Sequence, residues 1–250
     1  MLYDDLEARM RTGERFHDLR LEAGAWAIVR VDGRGFSRYT ERYGKPFDER
    51  FSTLMTGAAR ALLEEFGGRY AYTESDEVSV VLAPAFAMFG RGLQKLLSVS
   101  AAVAASTFTH EAGEPVQFDS RVWLGADVED VVDYLSWRQA DAARCALNGW
   151  SYWTLRGTGR SQREAAQALE RTSVAEKSAL LSRHGVDFDA LPAWQRRGVG
   201  LWWENHDHPG HDPIRGVDVV TRRRRVRVER DLPMKDDYRR LLARLLNEGT

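Results

Sequence analysis

The chain has 250 residues, 43% of them hydrophobic and 10% aromatic, enough to bury one sizeable core or two modest ones and too apolar for disorder. With 36 Lys and Arg against 37 Asp and Glu the formal charge is -1, which excludes a global positive field and leaves room only for a local polyanion site. A single cysteine, Cys145, excludes an intramolecular disulfide and a thiolate metal cage, and it is read as a small buried hydrophobe.

The start Met1-Leu2-Tyr3-Asp4-Asp5 has neither a basic stretch nor an apolar h-region, and the longest apolar runs fall short of a membrane span. A cytoplasmic protein with no membrane partner is therefore expected. From Trp26 to Asp32 the β-branched content predicts a strand ended by Gly33 and Gly35. After the Gly44-Lys45-Pro46 break, Asp48 is placed to cap a helix over Glu49 to Glu65, stopped by Gly67-Gly68. Arg69 to Ser75 and Val78 to Ala83 read as two strands with Asp76-Glu77 at a tight hairpin turn. A second helix is expected from Phe89 to His110 and a fourth strand from Val116 to Trp123. The order strand, helix, strand, strand, helix, strand predicts an α+β fold of ferredoxin-like (βαββαβ) topology over residues 1–126. In that topology the first strand and the central hairpin are neighbours, so Asp32 and Asp76 are expected to face one another.

Residues 127–250 are expected as a helical and β-hairpin part packed on the first half. Helices are predicted over Asp127 to Trp150 and Ser161 to His184, where Ser161 and Glu164 fit a capping box, and over Asp236 to Leu246. Between them Val199 to Glu204, a polar loop at His206-Asp207-His208-Pro209-Gly210-His211, and an arginine strand form the hairpin. The loop histidines lack a fourth ligand or closing geometry for a metal and read as solvated. Arg222 to Arg225, continued by Arg227 and Arg230, fit a solvated strand face and an RNA-contacting face equally well.

Magnesium takes oxygen ligands, keeps several waters and is usually held by one or two carboxylates with substrate phosphates. Two aspartates at adjacent strand ends meet that need, and a pair of such ions suits the activation of a hydroxyl beside a leaving phosphate. In Asp32-Gly33-Arg34-Gly35-Phe36-Ser37 the glycines let backbone amides approach phosphate oxygens, and the Gly33 carbonyl is a further candidate metal ligand. Lys45 and Lys95 are candidate phosphate contacts, with a solvated lysine as the plainer reading of each.

Several ordered blocks carry a resemblance: Arg30-Val31-Asp32-Gly33-Arg34-Gly35-Phe36, Lys45-Pro46 with Asp48-Glu49-Arg50, Ser75-Asp76-Glu77, Arg91 to Lys95, Phe118-Asp119-Ser120-Arg121, and Tyr134-Leu135-Ser136-Trp137-Arg138-Gln139-Ala140-Asp141. Together they span most of the chain, which resembles the tRNA-His guanylyltransferase family, enzymes that add nucleotides 3′ to 5′ at a tRNA 5′ end. The resemblance implies a polymerase-type palm in which Asp32 and Asp76 are the catalytic, metal-binding carboxylates. It places Asp32, Gly33, Arg34, Gly35, Phe36, Ser37, Ser75 and Asp76 at the nucleotide, and it implies two magnesium ions with GTP and ATP as substrates. Arg138, Gln139, Asp141 and Arg144 become candidate tRNA contacts, and a homotetramer is implied. One departure stands out: after Asp141 the eukaryotic histidine- and asparagine-rich motif is replaced by Ala142-Ala143-Arg144-Cys145-Ala146-Leu147-Asn148, as in the bacterial and archaeal guanylyltransferase-like branch. That branch favours template-dependent addition and repair of truncated tRNA 5′ ends. Two other readings of the acidic pair are a nucleotide cyclase or cyclic dinucleotide synthase, although the usual Gly-Gly-Asp-Glu-Phe hairpin is absent, and a non-catalytic RNA-binding module.

Overall fold

The computed structural model describes residues 3–212 and 215–247. A short helix α1 (Tyr3–Arg11) precedes strand β1 (Trp26–Gly33), the four-residue helix α2 (Phe36–Tyr39) and a 3-10 turn at Thr40–Arg42. Helix α3 (Glu49–Glu65) is capped as expected, the Asp48 carboxylate accepting from the amides of Arg50 and Phe51 at 2.8 and 3.3 Å. Gly67, at φ 57°, lets the chain turn out of it into β2 (Tyr70–Glu74) and β3 (Glu77–Leu82). Helix α4 (Leu93–Ala112) starts four residues later than its apolar periodicity suggests. Phe89, Gly90 and Arg91 all adopt left-handed φ of 55–58°, and the buried Arg91 guanidinium donates to the carbonyls of Glu22, Ala25, Pro84 and Phe86. Strand β4 (Phe118–Gly125) completes the first half.

Helix α5 (Val128–Gly157) runs seven residues past Trp150, because no helix-breaking residue interrupts the segment before Thr158. The single helix expected over Ser161 to His184 is two, α6 (Gln162–Leu169) and α7 (Val174–Arg183). A second capping box, Ser173 with Glu176, starts α7, and Arg171 at φ 59° turns the chain between them. Helix α8 (Ala193–Arg197) leads into β5 (Val199–Asp212), paired with β6 (Val217–Glu229), and α9 (Lys235–Asn247) follows. The polar loop expected at His206 to His211 is therefore strand backbone, though the His211 side chain lies outside the described residues. Its polar residues have cross-strand partners: Asp207 lies opposite Arg222, and Glu204 opposite Arg225 with an ion pair of 2.7 Å.

The six strands lie in the order β4-β1-β3-β2-β5-β6, every neighbour antiparallel. Alternation along the strands sorts side chains onto two faces. Val29, Val31, Val78, Val80 and Leu82 meet Met55 and Leu62 of α3 and Leu96 and Phe108 of α4. Ile28, Tyr70, Tyr72, Val81 and Trp202 meet Val131 and Leu135 of α5 and Tyr238 and Leu242 of α9. The sheet is thus a layer between two helical layers, and the second half of the chain extends it through β5. Cys145, expected in the interior, is exposed on α5. Among the described residues no helix is long and apolar enough to cross a membrane.

Candidate active site

The hydrophobic alternation of β1 breaks twice on the face that meets α5, at Arg30 and Asp32. Register then decides the neighbours: Asp32 lies opposite Glu77 of β3 and Asp119 of β4, so three acids stand side by side across three strands. Glu77 in turn opposes Glu74 of β2. Between those two glutamates the hairpin turns through Ser75 and Asp76, with Ser75 at φ 48°, a conformation costly for a residue with a Cβ. The Gly33 amide donates to the Asp76 carbonyl at 3.0 Å, which ties the end of β1 to the turn. Ser75 Oγ donates to Asp76 Oδ1 at 3.0 Å.

Asp32 and Asp76 are both half-buried. Partial burial pushes the Asp76 carboxyl above its ordinary range, and the Asp32 charge pushes it further. The fold has brought together two carboxylates that repel. Asp76→Asn is accordingly expected to raise the melting temperature of the metal-free protein, in thermal denaturation with EDTA, by a few degrees. A lower melting temperature would show that the tip carries no electrostatic strain.

The segment after Asp32 is divided in its uses. A Cβ on Gly33 would sit 2.4 Å from the Phe36 ring, so only glycine fits there. The Phe36 ring is 2% exposed and packs with Tyr39, Phe51, Phe108 and Phe118 at centroid distances of 5.1–5.9 Å. Its side chain is core, and what it can offer a nucleotide is backbone. Arg34, Gly35 and Ser37 are exposed, and Arg34 is held by Gln117 through its amide at 2.9 Å and its guanidinium at 3.2 Å. Gly33→Ala should cost about 1–3 kcal/mol by overpacking, read as a lower urea midpoint with unchanged slope. An unchanged midpoint would mean that the Phe36 ring moves aside freely.

Beneath the turn lies an ion-pair network that the sequence did not announce. Arg138 of α5 donates from Nε to Glu77 Oε1 at 2.8 Å, and from Nη2 to Glu77 Oε2 at 2.8 Å and Glu74 Oε1 at 3.0 Å. Asp141 Oδ2 is 3.3 Å away, and Arg30 reaches Glu77 at 3.6 Å. Burial and the neighbouring Glu77 charge push the Glu74 carboxyl up to about 8 against the pull of Arg138. Arg138 and Gln139, expected as tRNA contacts, are 7% and 3% exposed, and the Gln139 amide donates to the Pro233 carbonyl at 2.9 Å. Both are interior residues in this chain, because α5 turns that part of its surface onto the sheet. Asp141 accepts from Arg144, which holds its carboxyl below the ordinary range, and Arg144 itself is exposed.

Beside Ser75 opens a cavity of about 240 Å³ lined by Lys45, Glu74, Trp153 and Trp194 among others. The Lys45 ammonium donates to Thr40 Oγ1 at 3.2 Å and lies 5.9 Å from the Trp153 ring centroid; burial lowers its pKa. Lys95, by contrast, is exposed in the first turn of α4. Trp153 and Trp194 come from remote parts of the chain, so no local motif could have pointed to them.

For a metal, the donor set is two carboxylates and the Gly33 carbonyl, all hard oxygens. No group of three His, Cys, Asp or Glu side chains placed to hold an ion occurs among the described residues. Two mutually repelling carboxylates at an open edge fit magnesium, which takes its remaining ligands from water and phosphate.

This geometry defines a mixed α/β protein with an antiparallel sheet and a cluster of acidic side chains at its strand ends. The family model described as tRNAHis guanylyltransferase matches residues 7–126, and the model of that family's C-terminal domain matches residues 129–237. The chain belongs to the tRNA(His) guanylyltransferase family, whose named members are nucleotidyltransferases. A probable tRNA(His) guanylyltransferase of Dictyostelium discoideum is 37% identical over 187 residues, covering 69% of this chain and 73% of that protein. With tRNA(His) guanylyltransferase 1 of Arabidopsis thaliana the identity is 34% over 193 residues, which is 71% of this chain but only 34% of the longer plant protein. A bacterial tRNA(His) guanylyltransferase-like protein in complex with GTP shares the fold, with a TM-score of 0.77, 24% identity, and coverage of 97% of this chain and 99% of that one. The Saccharomyces cerevisiae tRNA(His) guanylyltransferase superposes with a TM-score of 0.69 at 25% identity over 75% of this chain and 90% of its own.

Proposed function

We propose that the chain is a magnesium-dependent 3′–5′ nucleotidyltransferase that adds guanylate, or a templated nucleotide, to the 5′ end of tRNA. The observation that carries this reading is the convergence of Asp32 and Asp76, tied by the Gly33 amide and close enough for one charge to act on the other. Residues 1–126 act as a polymerase-type palm of ferredoxin-like order, and residues 127–250 brace it.

Asp32, Asp76 and the Gly33 carbonyl hold magnesium, which when bound neutralises triphosphate charge and eases ionisation of the attacking hydroxyl. The exposed backbone of Gly35 and Ser37, with the Arg34 side chain and the Ser75 hydroxyl, orients the triphosphate. Lys45 adds a positive charge to the lining of the cavity it shares with Trp153 and Trp194, which is the place proposed for the purine base. GTP and ATP are the proposed nucleotides, in keeping with bacterial relatives seen in complex with each. The family reaction asks for little covalent chemistry from the protein: a 5′-monophosphate is adenylylated by ATP with loss of pyrophosphate, the 3′-hydroxyl of the incoming nucleotide attacks that phosphate and expels AMP, and pyrophosphate is later removed from the new 5′ end. Positioning and charge neutralisation are what such transfer requires. Of the residues considered for tRNA, Arg144 is the exposed candidate, and a homotetramer would let a second subunit hold the tRNA body.

Supplying labelled GTP, ATP and magnesium with and without tRNA tests this reading. Label is expected at the RNA 5′ end and nowhere else. A cyclic nucleotide formed without RNA would place the chain with the cyclases instead.

A further inference from the structure

The turn that carries Asp76 is unfavourable in three ways. Ser75 sits at a left-handed φ of 48°. Asp76 is half-buried and its backbone is tied to Gly33, directly after Asp32. The turn is flanked by Glu74 and Glu77, two carboxyl groups directly opposed across the strands whose side chains are only 10% and 9% exposed. Left to themselves these groups would spread the base of the hairpin and carry Asp76 away from the end of β1.

We infer that Arg138 is the positioning residue that closes this turn, and that it acts on metal and triphosphate binding through Asp76 without touching either. Its guanidinium grips Glu77 through two nitrogens and Glu74 through one, with each distance between 2.8 and 3.0 Å, so a single planar fork spans both strands. The fork is itself fixed. Asp141, one helical turn on, pairs with it at 3.3 Å, and its plane lies 4.6 Å from the Trp137 ring centroid. Both residues belong to α5, a thirty-residue helix packed across the sheet, so the anchor point is rigid. Arg30, at 3.6 Å from Glu77, supplies charge from within β1, whereas Arg138 joins the two arms of the hairpin. The inference rests on Asp32 and Asp76 being the metal ligands, and it explains why an arginine would be buried at this place in the chain.

A lysine at 138 would keep the charge but not the fork, since an ammonium is a point donor on a flexible stem. The test is Mn2+ binding to the full chain in the presence of GTP, followed by the EPR signal of free Mn2+, for wild type, Arg138→Lys, Glu74→Gln and Leu242→Ala. Leu242 is buried where α9 packs on Val131 and Leu135 of α5, takes no part in the ion pairs and serves as a destabilised control. Arg138→Lys should raise the Mn2+ dissociation constant about 10–100-fold, the usual effect of losing a partner that orients a metal ligand. Glu74→Gln, which loosens one arm only, should raise it less, and it keeps the inference testable if the lysine variant does not fold. Leu242→Ala should lower the melting temperature and leave the dissociation constant unchanged. If the folded fraction of both clamp variants bound Mn2+ as tightly as wild type, Arg138 would be a stabilising residue alone and the inference would be overturned. A wild-type chain that bound no Mn2+ would overturn the metal assignment of Asp32 and Asp76 and the inference with it.

Discussion

Asp32→Ala and Asp76→Ala are each expected to reduce nucleotide addition by about a thousandfold or more, because a lost ligand removes several kcal/mol of charge stabilisation and each 1.4 kcal/mol or so is worth tenfold. Circular dichroism and melting temperature should show both variants folded. Asp76 stands at a turn whose backbone is held by the Gly33 amide and by the ion pairs beneath it, so truncating its side chain removes repulsion without removing packing. A single-turnover assay at saturating magnesium separates the two residues. Retained turnover in either variant would take that residue out of the mechanism and leave the site with one carboxylate, too few for the proposed chemistry.

Arg138→Met should cost about 3–5 kcal/mol of stability, the usual penalty for removing one partner of a buried ion pair. With the guanidinium gone, Glu77 is 7% exposed and keeps Arg30 at 3.6 Å and the Ser79 hydroxyl at 3.4 Å, while Glu74 faces it across the hairpin. The loss should be strongly non-additive. In the double variant Arg138→Met with Glu77→Gln the buried charge is gone as well, so urea midpoints should show at least about 1 kcal/mol recovered relative to the single variant. Simple addition of the two single effects would mean that water reaches the glutamates and the network is not closed.

The reach of the sequence can be judged at particular residues. Strand β1, the Asp48 cap and the Ser161 capping box were all legible, since each depends on neighbours within a few positions; the hairpin was legible too, but its turn falls at Ser75-Asp76, one residue before the expected Asp76-Glu77, which puts Glu77 in β3 and buries it. The meeting of Asp32 and Asp76 was legible too, because strand order alone makes those ends adjacent. The break between α6 and α7 hinged on a second capping box at Ser173 that lay hidden inside one helical period. The β5–β6 hairpin was underestimated because its β5 arm is polar from Glu204 to His208 and then meets Pro209 and Gly210, so pairing with β6 rather than apolar alternation marks it as strand. Arg138 and Gln139 were misplaced for a different reason: a charged or amide residue is by default assigned to solvent, and only the register of Glu74 with Glu77 gives a buried arginine its purpose. The cavity beside Ser75 could not be read at all, since Lys45, Trp153 and Trp194 share no local pattern.

The central claim is that this acidic strand end extends RNA at its 5′ end. The most direct measurement offers the wild-type chain a 5′-monophosphorylated tRNA lacking its first nucleotide, with ATP, magnesium and each nucleoside triphosphate in turn, and resolves the products at single-nucleotide length. Extension by the nucleotide that pairs with the opposing base is expected, and it should be lost in the Asp32 and Asp76 variants. No extension with any triphosphate, on truncated or full-length tRNA, would contradict it.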